Sequence, residues 1–232
     1  MRVNTQQNIQ HNTKQSMQQK NILYIHGFNS SPLSLKAEQT RQYCEGNFPG
    51  INFVCPQLAT SPSKAVLQLE NILKSPTNNK SSLSSMPSSN NATLKHDSWL
   101  LIGSSLGGYF ANYLSNKYQL PAVLINPAIK PFTLLEEYIG EQKNTFTNVV
   151  YQVTEQHMID LKSLEQSAPN FDDEQKNNYL VMVQTGDEVL DYQLAVDKFQ
   201  HCQLIVEQGG DHSFIDFDKK LHKIANFFKL YA

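Results

Sequence analysis

An α/β fold with a mostly parallel sheet is expected for this 232-residue chain on three grounds. Short apolar runs recur at 22–25, 51–54, 99–102, 122–125, 179–183 and 202–206. These runs are apolar almost throughout instead of alternating, the pattern of strands covered on both faces, and such strands belong to parallel sheets. Segments with helical patterning lie between them, so each strand is linked to the next by a crossover. The expected domain has about six mostly parallel strands, helices on both faces and a small helical cap.

Taken in order, residues 1–20 are dominated by Gln and Asn and bury too little apolar surface to offset the entropy of ordering. They are expected to form a disordered tail ahead of a single domain at 21–232. The first strand, Ile22-Leu23-Tyr24-Ile25, runs into the turn His26-Gly27-Phe28-Asn29-Ser30-Ser31-Pro32. After the second strand, residues 75–98 are rich in Ser, Asn and Pro and read as a flexible insertion. The third strand, Trp99-Leu100-Leu101-Ile102, is followed by Gly103-Ser104-Ser105-Leu106-Gly107 and then by an apolar-faced helical pattern. Residues 127–178 leave the sheet after the fourth strand and return for the fifth, so they are expected to form a small helical cap over Ser105.

Composition narrows the function. A net charge of −2 and a pI near 6.4 leave no basic footprint for nucleic acid or an anionic membrane. No window approaches the ~20 apolar residues of a membrane span, and 1–20 lack the apolar stretch of a secretory signal. A cytoplasmic location is expected. Cys44, Cys55 and Cys202 are too scattered for a disulfide framework or a zinc site and are expected to be idle thiols. No metal-binding spacing, dinucleotide fingerprint or phosphate loop is present, so no cofactor is expected.

The stretch around Ser105 carries the chemistry. A G-x-S-x-G between a strand and a helix is the nucleophile elbow of an α/β-hydrolase, in which a strained turn lifts the serine hydroxyl above the sheet. Small residues must flank it, because a Cβ at Gly103 or Gly107 would crowd the turn. Ligands of parallel sheets bind beyond the carboxyl ends of the strands, so the partners of Ser105 should follow strands. Of seven histidines, His212 alone sits in a glycine-rich loop after the last strand, and it is assigned as the base. The acid should follow the fifth strand. Asp187 is the first choice, Asp191 the second, with Asp191 better placed to cap a helix and Glu188 expected to point away. Backbone N–H groups of Leu106 and Phe28 are the expected oxyanion donors. His26 is read as structural support beside that loop and also as a candidate substrate contact, with Phe132 and His157 in the cap and with Leu135, Tyr138 and Met158.

With these residues assembled, the chain resembles the small bacterial esterases of the YqiA/YcfP-like family within the α/β-hydrolase superfamily. The matching stretches are 23–32, 103–109, Asn126-Pro127-Ala128-Ile129-Lys130-Pro131-Phe132, 184–192 and Glu207-Gln208-Gly209-Gly210-Asp211-His212-Ser213-Phe214. The resemblance implies a carboxylic-ester hydrolase with Ser105, Asp187 and His212 as its triad. The expected substrate is a small-molecule ester with a short-to-medium acyl chain, because the cap sequence has no long apolar run. A thioesterase is the nearest alternative, and a non-catalytic binding protein on the same fold is the third. Sequence leaves the oligomeric state open.

Overall fold

The computed structural model describes residues 20–75, 99–169 and 174–231. The expected tail at 1–20, save Lys20, and the expected insertion at 75–98, save Ser75, lie outside the described residues. In chain order the elements are β1 (Asn21–Ile25), α1 (Leu35–Asn47), β2 (Asn52–Val54), α2 (Pro62–Lys74), β3 (Trp99–Ser104), α3 (Leu106–Tyr118) and β4 (Ala122–Ile125). They continue with α4 (Pro131–Leu134), which runs into a 3-10 turn at Leu135–Tyr138, then β5 (Gly140–Lys143), β6 (Val150–Val153) and α5 (Glu155–Ser163). The last are β7 (Tyr179–Gln184), α6 (Tyr192–Lys198), β8 (Gln203–Glu207) and α7 (Leu221–Phe227).

The six apolar runs form one sheet in the order β2-β1-β3-β4-β7-β8, with every pairing parallel. Side chains alternate across it, as the two-residue period of a strand demands. Leu23, Ile25, Leu101, Leu124, Val181 and Val183 face one core with α2, α3 and α6. Ile22, Tyr24, Leu100, Ile102, Val123 and Met182 face the other, against Ala37 and Cys44 of α1 and Leu221, Ile224 and Phe228. Both faces are therefore covered, which is why the strand interiors carry almost no polar residue. The strand order reverses between β1 and β3, the place where such sheets open a crevice for ligand.

The cap differs from the expected all-helical segment. Between its helices β5 and β6 pair antiparallel, Gly140 to Val153 through Lys143 to Val150. Their sequences, Gly-Glu-Gln-Lys and Val-Tyr-Gln-Val, are too short and too polar to announce strands. The turn is what holds them: the Asn144 carboxamide oxygen accepts from the Phe146 and Thr147 amides at 2.9 and 3.0 Å. The cap is seated on the domain in part by Tyr109 of α3, whose buried hydroxyl donates to the Leu161 carbonyl in α5 at 2.7 Å.

Candidate active site

Ser105 sits at the junction of β3 and α3 with φ 56° and ψ −123°, a conformation that costs about 1–3 kcal/mol for a residue with a side chain. The surrounding backbone enforces it. The Ser105 N–H donates to Ile125 O at 3.0 Å, and its carbonyl accepts from Gly108 at 2.9 Å and Ala128 at 3.1 Å. A Cβ at Gly107 would collide with the Ile25 carbonyl, and one at Gly103 with Gly107. The elbow is thus wedged between β1 and α3 with no room for either flank to be larger.

Register then aligns the rest of the site. The pairings Ile25 to Gly103, Ser104 to Ile125 and Gln184 to Glu207 set the carboxyl ends of five strands along one rim. Beyond that rim the His212 Nε2 stands 3.1 Å from Ser105 Oγ. Its Nδ1 lies 2.9 Å and 3.0 Å from the two oxygens of Asp187. Asp187 Oδ1 also accepts the Val189 and Leu190 amides at 2.9 and 2.8 Å. The Asp187 side chain is only 2% exposed. Burial pushes its carboxyl up, but the hydrogen bonds from His212, Leu190 and Val189 outweigh this and hold it below the usual carboxylate range. A carboxylate there fixes the imidazole with Nδ1 protonated, leaving Nε2 free to take a proton from Ser105.

The loop after β1 lies directly over the serine. A Cβ on Gly27 would come within 3.2 Å of Ser105 Cβ and 3.6 Å of its Oγ, so a side chain there would press on the serine. Leu106 opens α3, where its N–H has no intrahelical acceptor. Phe28 and Leu106 line one cavity with Ser105 and His212, about 440 Å³ in volume. Its other walls include Ala128, Pro131, Leu134, Leu135 and Tyr138 from the cap side, and Glu137, Glu188, Val189 and Leu190.

A family model described as an uncharacterised protein family, UPF0227, matches residues 21–229. The chain belongs to UPF0227. Solved α/β-hydrolases share its fold at low sequence identity. A protein from Agrobacterium vitis S4 named as a hydrolase aligns with a TM-score of 0.65 at 16% identity, over 90% of this chain and 88% of the other. The mouse alpha/beta hydrolase domain-containing protein 10 aligns at 0.62 and 14%, over 90% and 89%. Est1E from Butyrivibrio proteoclasticus, solved with ferulic acid bound, aligns at 0.60 and 11%, over 90% and 88%.

Within this UPF0227 protein the three expected substrate contacts stand away from the Ser105 cavity. His26 is buried and both its nitrogens serve backbone: Nε2 accepts from Leu58 N–H at 3.2 Å, so Nδ1 carries the proton toward Gly27 O at 3.0 Å. Burial lowers its pKa, against a smaller raising effect of the Gly27 bond, and the ring is a neutral strut. His157 is the third residue of α5, where Nδ1 receives the Thr154 N–H at 3.0 Å and completes a capping box. Phe132 lies beneath the Lys162 ammonium, 4.3 Å from its ring centre, in a separate outer groove with Met158. Helical geometry turns these side chains onto the flank of the cap, while Leu134, Leu135 and Tyr138 reach the cavity.

Two further expectations are corrected or completed around the acid. Strand alternation ends at Gln184, so Glu188 does not point away: its carboxylate accepts the His212 N–H at 3.0 Å. Asp191 instead caps α6 through Gln193 N at 2.9 Å. Sequence reading missed the polar pair that carries the histidine loop. Asn126 accepts from Gln184 N at 3.0 Å and donates to Asp211 O at 3.0 Å. Gln184 accepts from Asp211 and Ile215 amides at 3.1 and 2.9 Å and returns a bond to Ile215 O at 2.9 Å. The available signal was a lone Asn just after one apolar strand and a lone Gln ending another.

Charge behind the site comes from Lys36, whose ammonium donates to Ser213 O at 2.8 Å. Burial pushes it down to about 8, opposed by Asp211 and Asp187. Burial also pushes the Cys44 and Cys55 thiols up, to about 11 and about 12, so both stay protonated and unreactive at neutral pH. Among the described residues no His, Cys, Asp and Glu cluster could hold a metal, and no helix is long and apolar enough to cross a membrane.

Proposed function

We propose that this protein is a serine esterase acting on small-molecule carboxylic esters. The observation that carries the reading is the unbroken contact chain from Ser105 through His212 to a buried Asp187, with the serine in a strained elbow. In the first step Ser105 Oγ bonds to the ester carbonyl carbon while its proton passes to His212 Nε2, and the carbonyl electrons become an oxyanion facing the Phe28 and Leu106 N–H groups. Collapse of that intermediate breaks the bond to the alkoxy oxygen, which leaves with the proton from His212. Water then repeats the sequence on the acyl-enzyme, releasing the acid and restoring Ser105.

The cavity supports short-to-medium acyl chains, since its volume is about 440 Å³ and its cap wall is apolar at Leu134, Leu135 and Tyr138. Its lining contains two carboxylates, Glu137 and Glu188, and no lysine or arginine, which favours oxygen esters over polyanionic acyl-CoA. Ser105→Ala is expected to lower kcat about 10⁴–10⁶-fold on p-nitrophenyl esters, with melting unchanged and fluorophosphonate labelling abolished. Labelling that survives the substitution would sink the assignment. A matched series of p-nitrophenyl esters and acyl-CoA thioesters tests the substrate: kcat/KM climbing steadily through long chains, or faster cleavage of acyl-CoA, would favour the thioesterase reading.

A further inference from the structure

An oxyanion hole works only if its donors are held at the place where charge develops, and one of the two donors here is on a loop. Leu106 is fixed by the start of α3, but Phe28 lies three residues beyond the end of β1. The sheet and the His26–Leu58 bond hold the loop only as far as Gly27. Past that point the cap takes over. The Phe28 ring meets Tyr138 edge-on at 5.4 Å and Tyr151 at 6.5 Å. Asn29, with φ 49°, accepts from the Tyr151 hydroxyl at 2.8 Å. The Ser30 carbonyl accepts from Asn144 Nδ2 at 2.8 Å, with a longer bond of 3.3 Å from Gln57 on the domain side.

Packing does not fix the loop in the same way. A cavity of about 190 Å³ lies beside it, bordered by Gly27, Asn29, Leu58, Asn144 and Tyr151. Space there lets the loop draw back from Ser105 unless directional bonds prevent it. Asn144 is 6% exposed, and its oxygen is already committed to the hairpin turn, so its amide is oriented toward Ser30. Burial pushes the Tyr151 phenol up to about 12, so it remains a hydrogen-bond donor at any working pH.

We propose that the β5–β6 hairpin positions the oxyanion-hole loop, with Tyr151 and Asn144 as the positioning residues holding the Phe28 N–H on the carbonyl oxygen of a bound ester. This rests on the serine-esterase reading. The oxyanion exists only in the transition state and tetrahedral intermediate, so loss of the tether lowers kcat and leaves ground-state binding in place.

Tyr151→Phe keeps the ring contacts and removes only the hydroxyl. Kinetics on p-nitrophenyl acetate and butyrate are measured beside inhibition by an aryl trifluoromethyl ketone. Ser105 adds to that ketone's carbonyl with proton transfer to His212, leaving an oxyanion in the hole and releasing nothing. The expected result is a kcat about tenfold lower, below the 10²–10³ cost of losing a donor outright, with KM within about twofold. The inhibition constant should rise by the same factor as kcat falls. Asn29→Gly removes the acceptor yet tolerates a positive φ, and should show the same loss, with the double variant no worse than either single one. Unchanged kcat, an unchanged inhibition constant, additive losses, or a decline that follows a lowered melting temperature would each overturn the hairpin's role. A wild-type protein that cleaves no ester and is not labelled at Ser105 would instead remove the esterase reading on which it rests.

Discussion

Every residue of β1, β3, β4 and β7 is buried, whereas β5 alternates half-buried with exposed positions and β6 buries only Val153. The first set is held by apolar contact on both faces, worth about 25 cal/mol per Å² buried. The second is held by individual polar bonds, such as those of Asn144 to Ser30 and of the Tyr151 hydroxyl to Asn29. The comparison separates two tasks. In the proposed mechanism the atoms that exchange protons and electrons hang from the rigid rim of the sheet, and the cap supplies the facing wall of the cavity. Few buried apolar contacts also mark the part of a fold that opens at low free-energy cost.

The largest effect that tests this division lies at the sheet rim. Asp187→Asn is expected to lower kcat about 10⁴-fold by freeing the wrong imidazole tautomer. Asp191→Asn, at the cap of α6, should change kcat little and leave stability almost unchanged, because Asn caps a helix about as well as Asp. Steady-state kinetics of the two variants side by side provide the check, and the reverse ranking would move the acid role to Asp191. Denaturant titration gives the next contrast. Leu101→Ala, at 0% exposure in the middle of the sheet, should cost about 2–5 kcal/mol. Thr154→Ala, which removes one half of the α5 capping box, should cost about 0.5–2 kcal/mol. Equal costs would mean that the cap is as tightly coupled to the core as the strands are.

A pH slope gives the last contrast. Lys36 loses its proton at about 8 in the folded protein and at about 10.4 when unfolded. Between these values the unfolded chain binds more protons, so folding stability should rise with pH across that window. Lys36→Met should flatten the rise in melting temperature between pH 8 and ~10. Identical slopes in the two proteins would show that this ammonium is hydrated in the folded state.

What the amino-acid order determined by itself is the sheet and its rim. A strand sealed on both faces must be apolar along its length, so six runs announced six strands. A parallel sheet sends its site to the carboxyl ends, so Ser105 and His212, following those runs, stood out, and the acid narrowed to Asp187 or Asp191. Tertiary structure decided the rest. Whether Asp187 or Asp191 meets His212 depends on a turn that ends strand alternation at Gln184. The cap residues that face the cavity depend on how a one-turn helix and a hairpin sit over Ser105. Asn126 and Gln184 hold the histidine loop through contacts spanning tens of residues, 58 in the bond between them and 85 from Asn126 to Asp211. Apolar periodicity is a local property and can be read along the chain. A polar group's partner is fixed by direction in space, and only the folded backbone supplies that direction.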